Sequence, residues 1–75
     1  MDIQEFSLII QNQFTDSSVR ILPDTDFRNN DEFDSLIGMA ILITIKETFG
    51  YEMTVPEFLE CHTPSDLYKK IMKNK

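Results

Sequence analysis

The chain's 75 residues, 41% hydrophobic and 27% charged, provide for one small globular core and leave no room for a second, so residues 1–75 read as a single domain. Thirteen acids against seven bases give a net charge of −6, which excludes nucleic acid as a partner and favours partners with basic surfaces. One cysteine, Cys61, excludes an internal disulfide and fits a reducing cytoplasm.

The opening stretch "MDIQEFSLII" carries acids where a secretory signal would carry bases. Its spacing predicts a first helix over residues 2–14. Asp2 is placed to cap it, Glu5 to reach back, and Ile3, Phe6, Ile10 and Phe14 to form one apolar face. Residues 15–34, "TDSSVRILPDTDFRNNDEFD", break the pattern with Asp, Ser, Asn and Pro, which satisfy backbone groups locally. Ile21, Leu22, Phe27 and Phe33 are expected to anchor this long loop on the core, with Val19 a weaker anchor. A second helix is predicted from Ser35 to about Phe49, with Asp34 as N-cap and Gly50 as terminator. Thr54, Pro56 and Glu57 then mark a short third helix. Thr63, Pro64 and Asp66 open a fourth, in which Leu67, Tyr68, Ile71 and Met72 face the core and Lys69, Lys70 and Lys73 complement the C-terminal end of the dipole. No segment alternates as a strand would. The expected fold is all-α: a four-helix bundle with a short third helix and a long loop between helices 1 and 2. The longest apolar run, "LIGMAILITI", has ten residues, about half of the ~20 that a bilayer span requires, so no stable membrane insertion is expected and the protein is read as cytoplasmic.

The second helix carries more apolar surface than one face needs. At 100° per residue Gly38, Ile41, Leu42, Ile45 and Phe49 share an arc wide enough to pack on the other helices. Leu36, Met39, Ala40 and Ile43, joined by Glu47, point roughly the other way, either covered in a tight bundle or left open to dock a partner. Ser35 begins this helix. Serine is favoured at a helix start whatever a protein does, and a nucleophilic role requires an oriented base; His62, the only histidine, has no signature linking it to Ser35. A helix N-terminus nevertheless suits a phosphate ester, because unpaired N–H groups and partial positive charge favour an anion there.

At Asp34-Ser35-Leu36 the chain resembles the acyl carrier proteins. The similarity continues through "IKETFGYEMT", the small third helix and "TPSDLYKKI", from about residue 3 to residue 72 in the same order and spacing. The resemblance implies a carrier and not an enzyme. It makes Ser35, between Asp34 and Leu36, the attachment point of a 4′-phosphopantetheine group that a separate transferase takes from coenzyme A. The arm's thiol would hold acyl groups as thioesters and present them to acyl-activating, acyl-transferring or condensing enzymes in fatty acid or specialised lipid or polyketide synthesis. It further implies partner docking through Leu36, Met39, Ala40, Ile43 and Glu47, and an acyl pocket walled by Ile41, Ile45, Phe49, Leu67 and Ile71. A monomer is expected.

One departure separates this chain from the carriers of fatty acid synthesis, which bear several acids along the outer side of the second helix. Here Glu47 is the only acid on that side, with Lys46 beside it, and the acids sit in the preceding loop as Asp24, Asp26, Asp31, Glu32 and Asp34. The departure points to a specialised stand-alone carrier recognised more by apolar contact, with a peptidyl or D-alanyl carrier as the near alternative. A small helical interaction domain, in which Ser35 is only a helix start, is the rival from another class; a hydrolase is a third. "DTDFRNNDE" fails as an EF-hand loop, because positions five, six and twelve from Asp24 are Arg28, Asn29 and Ser35. Cys61 and His62 offer too few ligands for a metal, and as sequence neighbours they point apart, which disfavours a catalytic pair.

Overall fold

Asp2 accepts from the Glu5 amide at 2.8 Å while Glu5 reaches back to the Asp2 amide, and this reciprocal cap starts α1 (Ile3–Gln11). The computed structural model describes residues 1–74; Lys75, the last residue of the expected domain, lies outside the described residues. After α1 come a single 3₁₀ turn (Phe27–Asn29), then α2 (Ser35–Phe49), α3 (Val55–Leu59) and α4 (Pro64–Lys73), with no strand among the described residues. The all-α, four-helix architecture expected from the sequence is thus the one observed, short third helix and long first loop included.

Each later helix begins as its sequence dictates. Asp34 accepts from the Ile37 amide at 3.0 Å at the head of α2, and Gly50, in the left-handed region at φ 70°, donates to the Lys46 carbonyl at its tail. Thr54 with Glu57 and Thr63 with Asp66 form two further capping boxes, each followed by a proline in the first turn.

The core gathers at both ends of α2. At the C-terminal end Phe6 of α1 meets Phe49 edge-on at 5.6 Å and Tyr68 of α4 at 5.5 Å, tying three helices together. At the N-terminal end Phe27 and Phe33 of the loop meet Phe58 of α3. Between them Ile41 and Ile45 of α2 and Leu67 and Ile71 of α4 are wholly buried.

Three expectations are corrected. The first helix stops at Gln11, not at residue 14: the Gln13 and Phe14 amides bond to carbonyls three residues back, and this tightening still delivers Phe14 to the core. Leu22 is no anchor but 62% exposed. Its amide bonds to the Thr25 hydroxyl and its carbonyl accepts from the Thr25 amide, so a local turn carries it outward while the preceding Ile21, held through its amide by Gln11, goes in. Met72 is 42% exposed, since Leu67 and Ile71 already supply the inward line of α4. Phe27, Ile21 and Phe14 are buried as expected, and Phe33 and Val19 pack half-buried against the core.

Candidate functional site

The head of α2 is built by the residues on both sides of Ser35. Upstream, Glu32 ties the loop down: its carboxylate accepts from the Thr15 hydroxyl, from the Thr15 amide at 2.7 Å and from the Asp16 amide at 3.1 Å. Those bonds, the Thr15 hydroxyl first, hold Glu32 below the usual glutamate range. The Glu32 amide in turn donates to Asn30, and the Phe33 amide to the Asn30 carbonyl. Phe33 then turns inward onto Phe58, which fixes the direction in which Asp34 and Ser35 enter the helix.

At the head itself Asp34 is exposed, with its carboxylate engaged by the Ile37 amide. Ser35, the first helical residue, is exposed as well, and its hydroxyl makes no hydrogen bond among the described residues. Neither do the Ser35 and Leu36 amides, which lie too early in the helix for an intrahelical acceptor. An accessible hydroxyl therefore stands beside two free N–H donors at the positive end of a 15-residue helix. A phosphate ester on this hydroxyl would be compatible with the arrangement: the oxygen can be reached, and two amide donors lie beside it.

Along α2 the two faces separate. Ile37, Gly38, Ile41 and Ile45 are buried, whereas Leu36, Met39 and Ile43 expose 76%, 59% and 55% of their surface. Ala40 is half-buried and Glu47 exposed. Ile37, which the sequence reading left off both faces, belongs to the inner one; its spacing of four and eight residues from Ile41 and Ile45 was the available signal. The expected acyl-pocket residues Ile41, Ile45, Leu67 and Ile71 meet in the core without exposed surface, and Phe49 lies half-buried against them.

Away from this helix, Cys61 is buried, its thiol pushed up chiefly by that burial and aimed at the Glu57 carbonyl at 3.5 Å, while His62 is exposed with Nδ1 3.9 Å from Asp26. The two side chains do not converge. Among the described residues no helix is long and apolar enough to cross a membrane.

A family model described as a phosphopantetheine attachment site matches residues 9–71, from the last turn of α1 to the last buried residue of α4. No curated protein and no solved structure matches the chain.

Proposed function

The chain belongs to the phosphopantetheine-attachment family and is a carrier of covalent 4′-phosphopantetheine, and we propose that Ser35 is the residue that bears the group. The observation that supports this most directly is the exposed, unbonded Ser35 hydroxyl at the first position of α2. When bound, the group supplies a terminal thiol that holds an acyl unit as a thioester on a long arm.

The chain's own contributions follow from the head of α2. Ser35 would hold the group through its oxygen, bonded to the phosphorus nearer the pantetheine in place of the pyrophosphate bond of coenzyme A, with the nucleotide as leaving group and the serine proton given up to a base outside this chain. No base is hydrogen-bonded to the Ser35 hydroxyl among the described residues, which supports reading Ser35 as the acceptor and the transferase as the source of the base. Asp34 spends its carboxylate on the Ile37 amide and so keeps the first turn wound. The free amides of Ser35 and Leu36, with the helix dipole, favour the resulting anion by ~0.3–1 kcal/mol.

Leu36, Met39 and Ile43, with Ala40 between them and Glu47 at the far end, are the surface on which partner enzymes dock. An apolar stripe beginning one residue after the arm places the partner over its substrate. Its low charge favours a specialised cytoplasmic acyl carrier over the carrier of general fatty acid synthesis; the same observation favours, as a second reading, a peptidyl or D-alanyl carrier. Incubation with coenzyme A and a broad-specificity phosphopantetheinyl transferase, followed by intact mass measurement, tests the assignment. A gain of one phosphopantetheine that disappears in Ser35→Ala is expected. No gain under conditions that modify a control carrier would instead make the domain a docking module without a prosthetic group.

A further inference from the structure

An apolar chain tethered at Ser35 leaves water only by entering the bundle or by lying on its surface, and the space inward of Ser35 is filled. Gly38, one turn into α2, faces the interior. The Phe58 and Phe33 rings lie 3.5 and 3.6 Å from the place a Cβ would occupy there, so the space beside Gly38 would be filled by a single methyl group and holds no acyl chain. Phe33 stacks on Phe58 at 6.5 Å, and Phe27 closes the remaining side at 5.8 and 5.9 Å from the two. Behind this plug Ile41 and Ile45 of α2 and Leu67 and Ile71 of α4 have no exposed surface.

The wall that would have to move is also latched. Arg28 Nη1 donates to the Leu59 and Cys61 carbonyls at 2.8 and 3.3 Å, and the Phe27 amide donates to the His62 carbonyl at 3.0 Å, so the loop grips the far end of α3. At the near end the Tyr51 hydroxyl donates to Glu57 at 2.6 Å. Moving α3 away from the loop would break the Arg28 and Phe27 bonds and separate the Phe58 ring from Phe33 and Phe27 together.

The apolar surface beside Ser35, Leu36 with Met39 and Ile43, is the stripe read as the docking surface. Resting on that, and on the reading of Ser35 as the bearer of the arm, we infer that this bundle gives its cargo no interior lodging, and that the carried group is a short or polar acyl unit, of the aminoacyl or short-chain class, which stays outside the core. Ile41, Ile45, Leu67 and Ile71 then hold the bundle together instead of lining a cargo cavity.

The test loads the full chain through the transferase with acetyl and octanoyl coenzyme A analogues, amide in place of thioester, and verifies each by intact mass. No gain, or an undiminished gain in Ser35→Ala, refutes the attachment reading and the inference with it. Once loaded, the two forms are expected to melt within about 2 °C of each other and to share backbone amide chemical shifts at Ile41, Ile45, Leu67 and Ile71. An octanoyl form melting further above the acetyl form, with those shifts displaced, overturns the inference and leaves Ser35 intact as the attachment point. In Phe33→Ala, where a half-buried ring is removed from the plug, the two forms are expected to separate. Failure to separate there would overturn the aromatic rings as the barrier.

Discussion

Arg28 of the long loop donates from Nη1 to the carbonyl of Leu59 at 2.8 Å across 31 positions of sequence, and the same nitrogen reaches the Cys61 carbonyl. The receiving helix, α3, has five residues, too few to be stable by its own hydrogen bonds. Its last carbonyls need donors, and Arg28 supplies one from outside. Replacing Arg28 with Met keeps the apolar stem and removes the donor. The expected loss is about 1–2 kcal/mol in urea unfolding, with Arg28→Lys recovering only part because an ammonium cannot reproduce the guanidinium's directed fork.

Adjacent positions at the head of α2 are expected to behave oppositely. Asp34→Ala removes the acceptor of the Ile37 amide and should cost ~0.5–2 kcal/mol, while leaving the Ser35 hydroxyl in place. Ser35→Ala removes a side chain bonded to nothing among the described residues, so its stability should stay within about 0.5 kcal/mol of the parent while modification is abolished. Thermal melts paired with intact mass after transferase treatment read both quantities from the same samples.

The two faces of α2 make a third contrast. Ile45 is wholly buried and Met39 mostly exposed, so Ile45→Ala should cost ~2–5 kcal/mol and Met39→Ala less than about 0.5 kcal/mol. Equal, large losses would mean that Met39 is packed and would remove the docking stripe. Where Met39→Ala leaves stability untouched, its effect should fall on the transfer rate between the loaded carrier and a partner enzyme.

Which parts of this structure were legible in the sequence depends on the range of the forces involved. The helix starts were legible because Asp2 with Glu5, Thr54 with Glu57 and Thr63 with Asp66 act over three residues, a distance that sequence spacing encodes. The grouping of Leu36, Met39 and Ile43 on one face of α2 was legible for the same reason, whereas their exposure depends on what the other helices cover. The 3₁₀ turn at Phe27–Asn29 was not legible, because its local cap, Asp26 on the Arg28 amide, is only part of what secures it; the Phe58 ring and the His62 carbonyl lie far off in sequence. Leu22 and Ile21 are chemically alike and adjacent; only the partners of their amides, Thr25 and Gln11, decide which goes in. At the site, Ser35 could be singled out from its tripeptide and helix position. The aromatic plug beneath it could not, since Phe33, Gly38 and Phe58 meet only in three dimensions.

Acid should unfold this protein by a route that its carboxylates define. Glu32, held by Thr15 and Asp16, and Glu57, held by the Thr54 amide and then the Tyr51 hydroxyl, lie below the ordinary glutamate value of 4.5. Asp66, held first by the His62 amide, and Asp16, held by Ser18, lie below the ordinary aspartate value of 3.8. A folded pKa below the unfolded one means that the unfolded chain binds more protons in the window between them. The stabilisation is therefore complete above the unfolded values and drains away as pH falls through the folded ones. Relief of repulsion in a chain of net charge −6 works in the opposite direction, but it is spread over exposed groups that salt screens. The melting temperature should thus be nearly level above pH ~5 and fall progressively below it. Glu32→Gln, which loses the charged acceptor for Thr15 and Asp16, should melt lower than the parent at neutral pH and show a shallower acid decline, the two curves converging at low pH. Parallel curves over the whole range would mean that Glu32 does not anchor the loop ahead of Ser35 through its charge.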